Sequence, residues 1–323
     1  MSEEFSYLIQ KIESAEWELQ PFKHIAINNF INSSDFNEII SCDEIDIRHF
    51  TNDKDLIDDL FSQGYKMVPF PGAITDHKEY IRNRKASKKT TSHSATGSAG
   101  LVFRLIKPKS EKLKKLKQFL ESSDFNQVLA TKFNLDFSSC TVDGGIQKYL
   151  DEYEISPHPD LRKKAATFMV NINNSPESEK KNHHTHYLKF KPERNYVLEY
   201  WKGNPLVERC WVPWDWCESV KQQTQNNSFV AFSPSFDTLH AVQASYDHLI
   251  GQRTQLYGNL WHNIEDSSAF TPSVSRLDWE EFDFNSPPSR NRKNIPRRLL
   301  DKVIRTFEKD SGLVDSDRRN NYR

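Results

Sequence analysis

The sequence predicts a mainly β fold with flanking helices, and three observations lead to this prediction. Between residues 144 and 261, short segments of alternating β-branched and aromatic residues are bounded by Gly, Pro, Asn and Ser clusters, which is typical of strands. Residues 113–129 instead carry apolar residues at helical spacing. A His-Pro-Asp triplet, residues 158–160, lies within the strand-rich part, and this part is therefore the expected catalytic core.

The elements follow from local patterns. Helices and one N-terminal strand are expected in 1–140, and the helix pattern that begins at Leu113 is expected to brace an outer sheet. The strand-like segments of the core are GGIQKYL, ATFMVNIN, NYVLEYW, SFVAFSP, LHAVQA and QRTQLYGNLW. We therefore expect a single elaborated domain over 1–266, with the catalytic core in 141–266. The extension 267–323 is predicted to hold one amphipathic helix, which docks on this domain or forms a homodimer contact.

The spacing of His158 and Asp160 has a physical reason. Side chains at i and i+2 of an extended strand point to the same face, so these two can reach one ion. His240, on a distant strand laid alongside, can supply the third ligand. Two imidazoles and one carboxylate form the facial triad that binds non-haem Fe(II) and leaves coordination positions open. His-x-Asp by itself is a weak signal, and its strand context strengthens the prediction.

Taken together, these residues resemble the 2-oxoglutarate- and Fe(II)-dependent dioxygenases, nearest to their prolyl-hydroxylase-like branch. The resemblance covers roughly residues 22–40 and 144–261. It implies a double-stranded β-helix core, a cupin-like jelly roll whose mouth holds the iron. It also implies the site residues, with metal ligands at His158, Asp160 and His240 and cosubstrate-binding residues at Arg253 and Tyr149.

Arg253 has chemistry suited to this role, because a guanidinium binds a carboxylate through two parallel hydrogen bonds. The segment 239–261 predicts a hairpin that sets Arg253 across from residues just beyond the third ligand. A register with Arg253 opposite Val242 turns it inward, whereas a slip of one residue turns it outward. The residues that would share an inward face with it are Gln255, Tyr257 and Asn259.

The resemblance implies a reaction in which 2-oxoglutarate and O2 are consumed, succinate and CO2 are released, and an unactivated C–H bond is hydroxylated. The expected substrate is a small polar metabolite, such as an amino acid or a sugar or nucleotide derivative, and ascorbate is an expected supporting reductant. The carboxylate at Asp160 favours hydroxylation over halogenation, while desaturation and ring formation stay open. Two alternatives are a non-catalytic cupin-like protein that binds metal or ligand, and a protein prolyl hydroxylase.

Three further segments carry predictions. A second histidine group is expected to form a polar loop, with metal binding or a substrate contact as alternatives; its members are His183, His184 and His186. A tryptophan-rich segment is expected to pack on the outer sheet, with an aromatic wall over the substrate as the alternative; its members are Trp211, Trp214 and Trp216. Residues 82–100, basic and then rich in Ser, Thr and Gly, are expected to form a loop or a lid over an anionic substrate.

Net charge, cysteine content and hydropathy limit the classes of partner and the compartment that we expect. A net charge of −1 argues against a general nucleic-acid-binding protein. Four cysteines without a framework spacing predict a reducing compartment. The chain has no apolar run long enough to span a bilayer. We therefore expect a cytoplasmic protein that acts on a small molecule, with neither nucleic acid nor membrane as a partner.

Overall fold

A computed structural model describes residues 3–47, 49–68, 76–85, 100–204, 207, 209 and 211–263, without the side chains at 83 and 85. The predicted C-terminal extension, 267–323, with its helix and its homodimer contact, lies outside the described residues. So does most of the predicted lid, over 86–99. Within the described residues, every helix is too short or too polar to cross a lipid bilayer.

Helices lie mostly in the N-terminal part. The α-helices of the described residues are α1 Tyr7–Ser14, α2 Ser33–Ile40, α3 Asp53–Ser62, α4 His77–Lys85, α5 Glu111–Leu120, α6 Ser123–Lys132 and α7 Asn195–Gly203. Several begin at a side chain that accepts a hydrogen bond from the first turn, as Asn32 does from the Asp35 amide at 2.8 Å. Ser122 caps α6 in the same way through the Phe125 amide. These local signals fix where the helices begin.

Strands make up two sheets, and every strand pair among the described residues is antiparallel. The strands are β1 Trp17–Glu18, β2 His24–Ile27, β3 Tyr65–Met67, β4 Val102–Leu105, β5 Cys140–Tyr149, β6 Glu154–His158, β7 Lys164–Asn171, β8 Thr185–Phe190, β9 Cys217–Gln223, β10 Phe229–Phe232, β11 His240–Gln243 and β12 Arg253–His262. The large sheet has the order β1-β2-β10-β7-β12-β5-β4-β3, and the small sheet has the order β6-β11-β8-β9. The prediction of a sheet-rich fold with several helices is confirmed.

One face of the large sheet is covered by helices. Leu256 and Leu260 of β12 belong to the same buried apolar cluster as Leu116 of α5 and Phe125 of α6. The helices therefore brace this face, as the apolar spacing of 113–129 predicted. Because side chains alternate along a strand, Tyr257 and Asn259 point to the other face.

That other face of the large sheet looks toward the small sheet. Met169 of β7 and Phe232 of β10 pack with Tyr187 of β8 in a second apolar cluster. The guanidinium of Arg253 on β12 donates a hydrogen bond to the Thr185 hydroxyl on β8 at 2.9 Å. The space between the two sheets is therefore closed by apolar residues at one side and lined by polar residues at the other.

The predicted hairpin of β11 and β12 is wrong. β11 pairs with β6 and β8 in the small sheet, whereas β12 pairs with β5 and β7 in the large sheet. Arg253 is consequently opposite Tyr149 and not opposite Val242. The connection crosses from one sheet to the other and is held by backbone hydrogen bonds, such as that from the Ser245 amide to the Asn182 carbonyl at 2.7 Å. A short connection between two strands does not force them to pair when two sheets are stacked.

The strand-like segment NYVLEYW is also not a strand, since it forms α7. Val197 and Trp201, four residues apart, are buried, whereas Tyr196 and Tyr200 are 42% and 37% exposed. This is a helical repeat and not an alternation. The aromatic and β-branched composition suggested a strand, but the spacing of the buried residues decided the element.

Candidate metal centre

His158 and His240 meet on neighbouring strands of the small sheet. β6 ends at His158, β11 begins at His240, and the two residues are direct partners across the antiparallel pair. Asp160 follows β6 with a φ of 64°, a left-handed conformation that Asp adopts more readily than most residues. Asp160 therefore reaches the two imidazoles through a turn, not through the extended i, i+2 geometry that the sequence suggested.

The side-chain geometry of this group suits a cation. His158 Nε2 lies 3.5 Å from Asp160 Oδ1, His240 Nε2 lies 3.7 Å from Asp160 Oδ2, and the ligand atoms all lie within 4.8 Å of one another. The Nδ1 atoms point away from this centre, to the backbone carbonyls of Ser156 at 2.8 Å and Thr238 at 2.9 Å. If each Nδ1–H donates to its carbonyl, the lone pair of each Nε2 faces the carboxylate.

Asp160 is 6% exposed and its two oxygens have different partners. The Lys164 ammonium donates to Oδ1 at 2.7 Å, and the Thr167 hydroxyl donates to Oδ2 at 3.0 Å. Burial acts to raise the pKa of Asp160, but the charge of Lys164 and the interactions with His240 and His158 together outweigh it and hold this pKa well below its usual range. Each carboxylate oxygen keeps a second lone pair, so both can still bind a metal ion.

Burial also keeps the imidazole of His240 neutral, because it lowers the pKa of this side chain to about 3. A neutral imidazole is the form that binds a metal ion. Two nitrogen donors and one carboxylate, converging on one point, are the ligand set for which non-haem Fe(II) is well known. The donor set therefore fits the ion that the sequence predicted.

A second cluster of carboxylates lies near the N-terminus and has a different character. Glu4, Asp35 and Glu38 have ligand atoms close enough to hold an ion. The Lys112 ammonium, however, binds all three, at 2.6, 2.6 and 2.8 Å. The lysine supplies the positive charge, so this cluster is a structural ion-pair network.

Arg253 lies between the sheets and is 2% exposed. Its Nη2 donates to Thr185, and the guanidinium lies 4.5 Å from the centre of the Tyr149 ring. Its Nη1 has no hydrogen-bond partner among the described residues, and the side chains that act on its charge are tyrosines. Burial lowers the pKa of Arg253. A buried cation without a carboxylate partner is costly, so this pocket is suited to an anion.

Tyr149 is 5% exposed, and its hydroxyl lies 2.6 Å from the Gln147 amide. The hydrogen bonds around Gln147 are all satisfied when its amide nitrogen donates to Tyr149 and its oxygen accepts from Arg104 Nη2 at 2.7 Å. In this orientation, the Tyr149 oxygen is an acceptor and its hydrogen is available to another group. Arg104 also pairs with Asp143, at 2.6 Å.

The inward-facing residues of β12 form the predicted polar wall. The Tyr257 hydroxyl accepts a hydrogen bond from Lys164 at 2.9 Å, and the Asn259 side-chain amide lies 3.0 Å from the Thr167 hydroxyl. Gln255 is likewise buried and hydrogen-bonded. The prediction that these residues share the face of Arg253 is confirmed. Through Lys164 and Thr167, the wall also supports the carboxylate of the candidate metal centre.

Sequence reasoning missed Lys164 and Thr167. Both lie on β7, and Thr167 was visible as a hydroxyl within the apolar run ATFMVNIN. Their contact with Asp160 depends on β7 lying beside β12 and β10, which is a matter of sheet order. No local pattern in the sequence shows this order.

The three histidines of the second group lie in different environments. His183 is 1% exposed, His184 contacts the Glu179 carbonyl at 3.1 Å, and His186 contacts the Ser219 hydroxyl at 2.9 Å. Among the described residues these three form no metal-binding cluster. His186 belongs to β8 and not to a loop.

The tryptophan segment packs on the outside of the small sheet, as predicted. Trp214 Nε1 donates to the Glu154 carboxylate at 2.7 Å, and its ring lies 5.5 Å from that of His186. Ile155, the next residue on β6, packs instead with the apolar cluster between the sheets. Glu154 therefore points outward, and Trp214 covers the outer face.

The described part of the predicted lid is anchored. Arg84 on α4 pairs with Asp151 at 2.7 Å and with Asp53 at 3.5 Å. Its charge is therefore already compensated by two carboxylates of the protein. Arg84 serves to hold α4 in place and is not free to bind an anionic substrate.

Comparisons with known proteins gave matches among solved structures only, since no protein-family model and no curated protein matches this chain. One similar structure is a prolyl-4-hydroxylase from Pseudomonas putida, with 9% identity, a TM-score of 0.36, and coverage of 80% of this chain and 98% of that chain. A second is a Trichoplax adhaerens prolyl hydroxylase in complex with a hypoxia inducible factor peptide, with 12% identity, a TM-score of 0.40, and coverage of 84% and 93%. A third is an oxidoreductase of the 2OG-Fe(II) oxygenase family from Burkholderia pseudomallei, with 11% identity, a TM-score of 0.27, and coverage of 67% and 93%.

Proposed function

We propose that this protein is an Fe(II)- and 2-oxoglutarate-dependent dioxygenase that hydroxylates an unactivated C–H bond of a small polar metabolite, on a double-stranded β-helix core. One observation carries the proposal. A facial set of ligands, His158, Asp160 and His240, converges between two sheets that also enclose Arg253, a buried cation without a carboxylate partner among the described residues.

The metal would be held by His158 Nε2, His240 Nε2 and the Asp160 carboxylate. Fe(II) bound there would, together with 2-oxoglutarate and O2, supply the oxidation of a C–H bond with release of succinate and CO2. The protein's contribution is to fix the ligands. The carbonyls of Ser156 and Thr238 hold the two imidazoles in one tautomer, and Thr167 orients the carboxylate.

Arg253 and Tyr149 are proposed to bind the distal carboxylate of 2-oxoglutarate. The orphaned Nη1 of Arg253 supports this assignment, because it is a charged donor in a buried pocket. The hydroxyl hydrogen of Tyr149 can donate to the same group once Gln147 donates to its oxygen. Burial of this pocket strengthens the ion pair, since competing water is excluded.

The proposal is tested by succinate formation. Purified protein with Fe(II), ascorbate and 2-oxoglutarate is expected to release succinate, and Asp160→Ala is expected to abolish this release because one ligand is lost. The matched control is Glu154→Gln, which changes a carboxylate on β6, the strand before Asp160, that faces the outer side of the small sheet and contacts Trp214. We expect the control to keep its activity.

The outcomes separate the alternatives. Binding of metal and 2-oxoglutarate, without conversion of 2-oxoglutarate to succinate in the presence of any candidate substrate, would indicate the non-catalytic cupin-like protein. Release stimulated by proline-containing peptides, and not by small metabolites, would indicate a protein prolyl hydroxylase. Succinate release that survives Asp160→Ala would contradict the proposed site.

A further inference from the structure

His183 is a buried histidine whose polar atoms have no evident use in the fold. It lies just before β8, is 1% exposed, and has no hydrogen bond of acceptable geometry at Nδ1 or Nε2 within the described part of the chain. The backbone of Ser178 lies near the ring and acts to raise the pKa of His183, but it does not reach the geometry of a hydrogen bond. The ring is held by stacking, with the Tyr246 ring at 4.8 Å and the His184 ring at 4.6 Å.

Two contacts and one electrostatic effect connect His183 with Arg253. Thr185, two residues further along the chain, accepts a hydrogen bond from Arg253 Nη2. Tyr246, which stacks on His183, accepts a hydrogen bond from the Arg253 backbone amide at 3.0 Å. Burial and then the charge of Arg253 lower the pKa of His183 to about 2. The imidazole is therefore neutral near pH 7, and offers one N–H donor and one acceptor.

Arg253 and His183 thus share Tyr246 as a neighbour, and each has buried side-chain nitrogens without a hydrogen-bond partner among the described residues: Nη1 of Arg253 and both ring nitrogens of His183. Buried donors without partners are costly, and such positions in native proteins call for a specific explanation. A single carboxylate can satisfy both, because its two oxygens together accept about four hydrogen bonds. A neutral imidazole adds no charge of its own. The electrostatic attraction for the carboxylate therefore comes from Arg253, and the hydrogen bond from His183 would orient the carboxylate.

We propose that His183 is a second hydrogen-bond donor to the distal carboxylate of the cosubstrate, and so a residue that determines specificity for 2-oxo dicarboxylates. This inference rests on the proposed function. Two donors on different elements, β12 and the segment before β8, fix the position of the distal carboxylate relative to the metal ligands. The pocket therefore selects the length of the cosubstrate as well as its charge.

The test is calorimetric binding of 2-oxoglutarate to the Mn(II)-loaded protein, which needs no turnover. His183→Phe fills the space without a donor and is expected to weaken 2-oxoglutarate binding about 10-fold or more, the effect of one lost hydrogen bond to a charged group. His183→Gln keeps a donor and is expected to bind within about threefold of the wild type. Pyruvate, which lacks the distal carboxylate, is expected to bind the wild type and His183→Phe equally.

Matched variants make the outcomes distinguishable. His186→Phe is the same change on the outer face of the small sheet, and it should leave 2-oxoglutarate binding unchanged. If Arg253→Met loses 2-oxoglutarate binding while His183→Phe keeps it, the inference about His183 is overturned and the proposed function stands. If the Mn(II)-loaded wild type binds no 2-oxoglutarate, the proposed function fails and His183 loses this role with it. If His183→Phe does not fold, as judged by its Mn(II) affinity and unfolding temperature, the same comparison is made with His183→Ala.

Discussion

At Asp160, the Lys164 ammonium and the proposed metal ion would both bind the same carboxylate. The Lys164 ammonium lies 2.7 Å from Oδ1 and its side chain is 11% exposed, and the carboxylate raises the pKa of Lys164 although burial opposes this. Lys164 is therefore charged and compensates Asp160 when no metal is bound. A divalent ion at the same carboxylate is repelled by this ammonium, so the two cations compete.

This competition predicts that Lys164→Met tightens metal binding. Removing the ammonium leaves a buried carboxylate uncompensated, which is expected to lower the stability of the metal-free protein by about 3 kcal/mol. Since the metal then restores the missing positive charge, we expect Mn(II) affinity to rise about 10-fold or more. Calorimetric titration with Mn(II), and thermal unfolding with and without it, measure the two effects.

The matched control is Lys148→Met. Lys148 is a buried lysine on β5 that donates to the Ile45 carbonyl at 2.9 Å and to the Thr254 hydroxyl at 3.0 Å. These partners lie on the side of the large sheet away from the candidate metal centre. This variant should lose stability without a change in Mn(II) affinity, whereas weaker Mn(II) binding by Lys164→Met would contradict the argument.

At the scale of elements, β12 contributes side chains to both faces of the large sheet. It runs between β5 and β7, and its alternate residues face the helices or the site. Gly258 is on the helix side, where the Phe168 ring of the neighbouring strand lies across it. Phe168 in turn packs on Phe125 of α6, with ring centres 5.3 Å apart. A glycine at this position lets the ring join the strand to the helix layer.

We therefore expect Gly258→Ala to destabilise the protein. An added Cβ would lie 2.3 Å from two ring carbons of Phe168, which is too close for any real contact. Displacing the ring is expected to cost about 1–3 kcal/mol in the free energy of unfolding, measured by urea denaturation. Mn(II) affinity should stay the same, because Gly258 points away from the site.

Gly203, at the end of α7, is the control for this substitution. A Cβ built there meets nothing within 4 Å, so Gly203→Ala should change stability by less than about 0.5 kcal/mol. Equal effects of the two substitutions would mean that the contact with Phe168 is not what restricts position 258.

At the scale of the whole molecule, Glu44 joins separate parts of the N-terminal region. Its carboxylate is buried and accepts hydrogen bonds from the backbone amides of Lys109 at 2.6 Å and Ser110 at 2.8 Å, just before α5, and from the Ser110 hydroxyl. Its own carbonyl accepts from the Tyr65 hydroxyl. One side chain thus fixes α5 against the segment that follows α2.

Glu44 is expected to contribute to stability in a pH-dependent way. Burial acts to raise the pKa of Glu44, but the hydrogen bonds from Ser110 and from the backbone amides around the carboxylate, including that of Lys109, together outweigh it and lower this pKa below 4.5. A carboxyl with a depressed pKa in the folded state stabilises the fold fully above its unfolded pKa, and this contribution is lost as the pH falls through the folded pKa. The contribution is therefore complete at pH 7 and disappears in acid below 4.5.

Glu44→Gln tests this expectation, because the amide brings donors against the donors of Lys109 and Ser110. We expect the free energy of unfolding to fall by about 1–3 kcal/mol at pH 7, with a smaller difference from the wild type in acid. Urea denaturation at both pH values measures the two differences. The same difference at both would show that ionisation of Glu44 does not contribute.

Much of the fold could be predicted because local patterns reflect local physics. The helical spacing of 113–129 gave α5 and α6, and alternation gave the strand that carries Arg253 together with the face of Gln255 and Asn259. Patterns of composition were less informative. NYVLEYW has strand-like residues but forms α7, because the positions that are buried, Val197 and Trp201, recur every four residues.

The sequence by itself determined which three residues are candidate metal ligands: the structure brings His158, Asp160 and His240 together, and iron binding by them stays a prediction. Only the tertiary structure decided which strands stack and which pair. It sent β11 and β12 to different sheets, and it brought Lys164 to Asp160 and His183 to Tyr246, which contacts Arg253. The physical reason is that a period of two residues fixes the face on which a side chain lies but carries no information about the strand beside it.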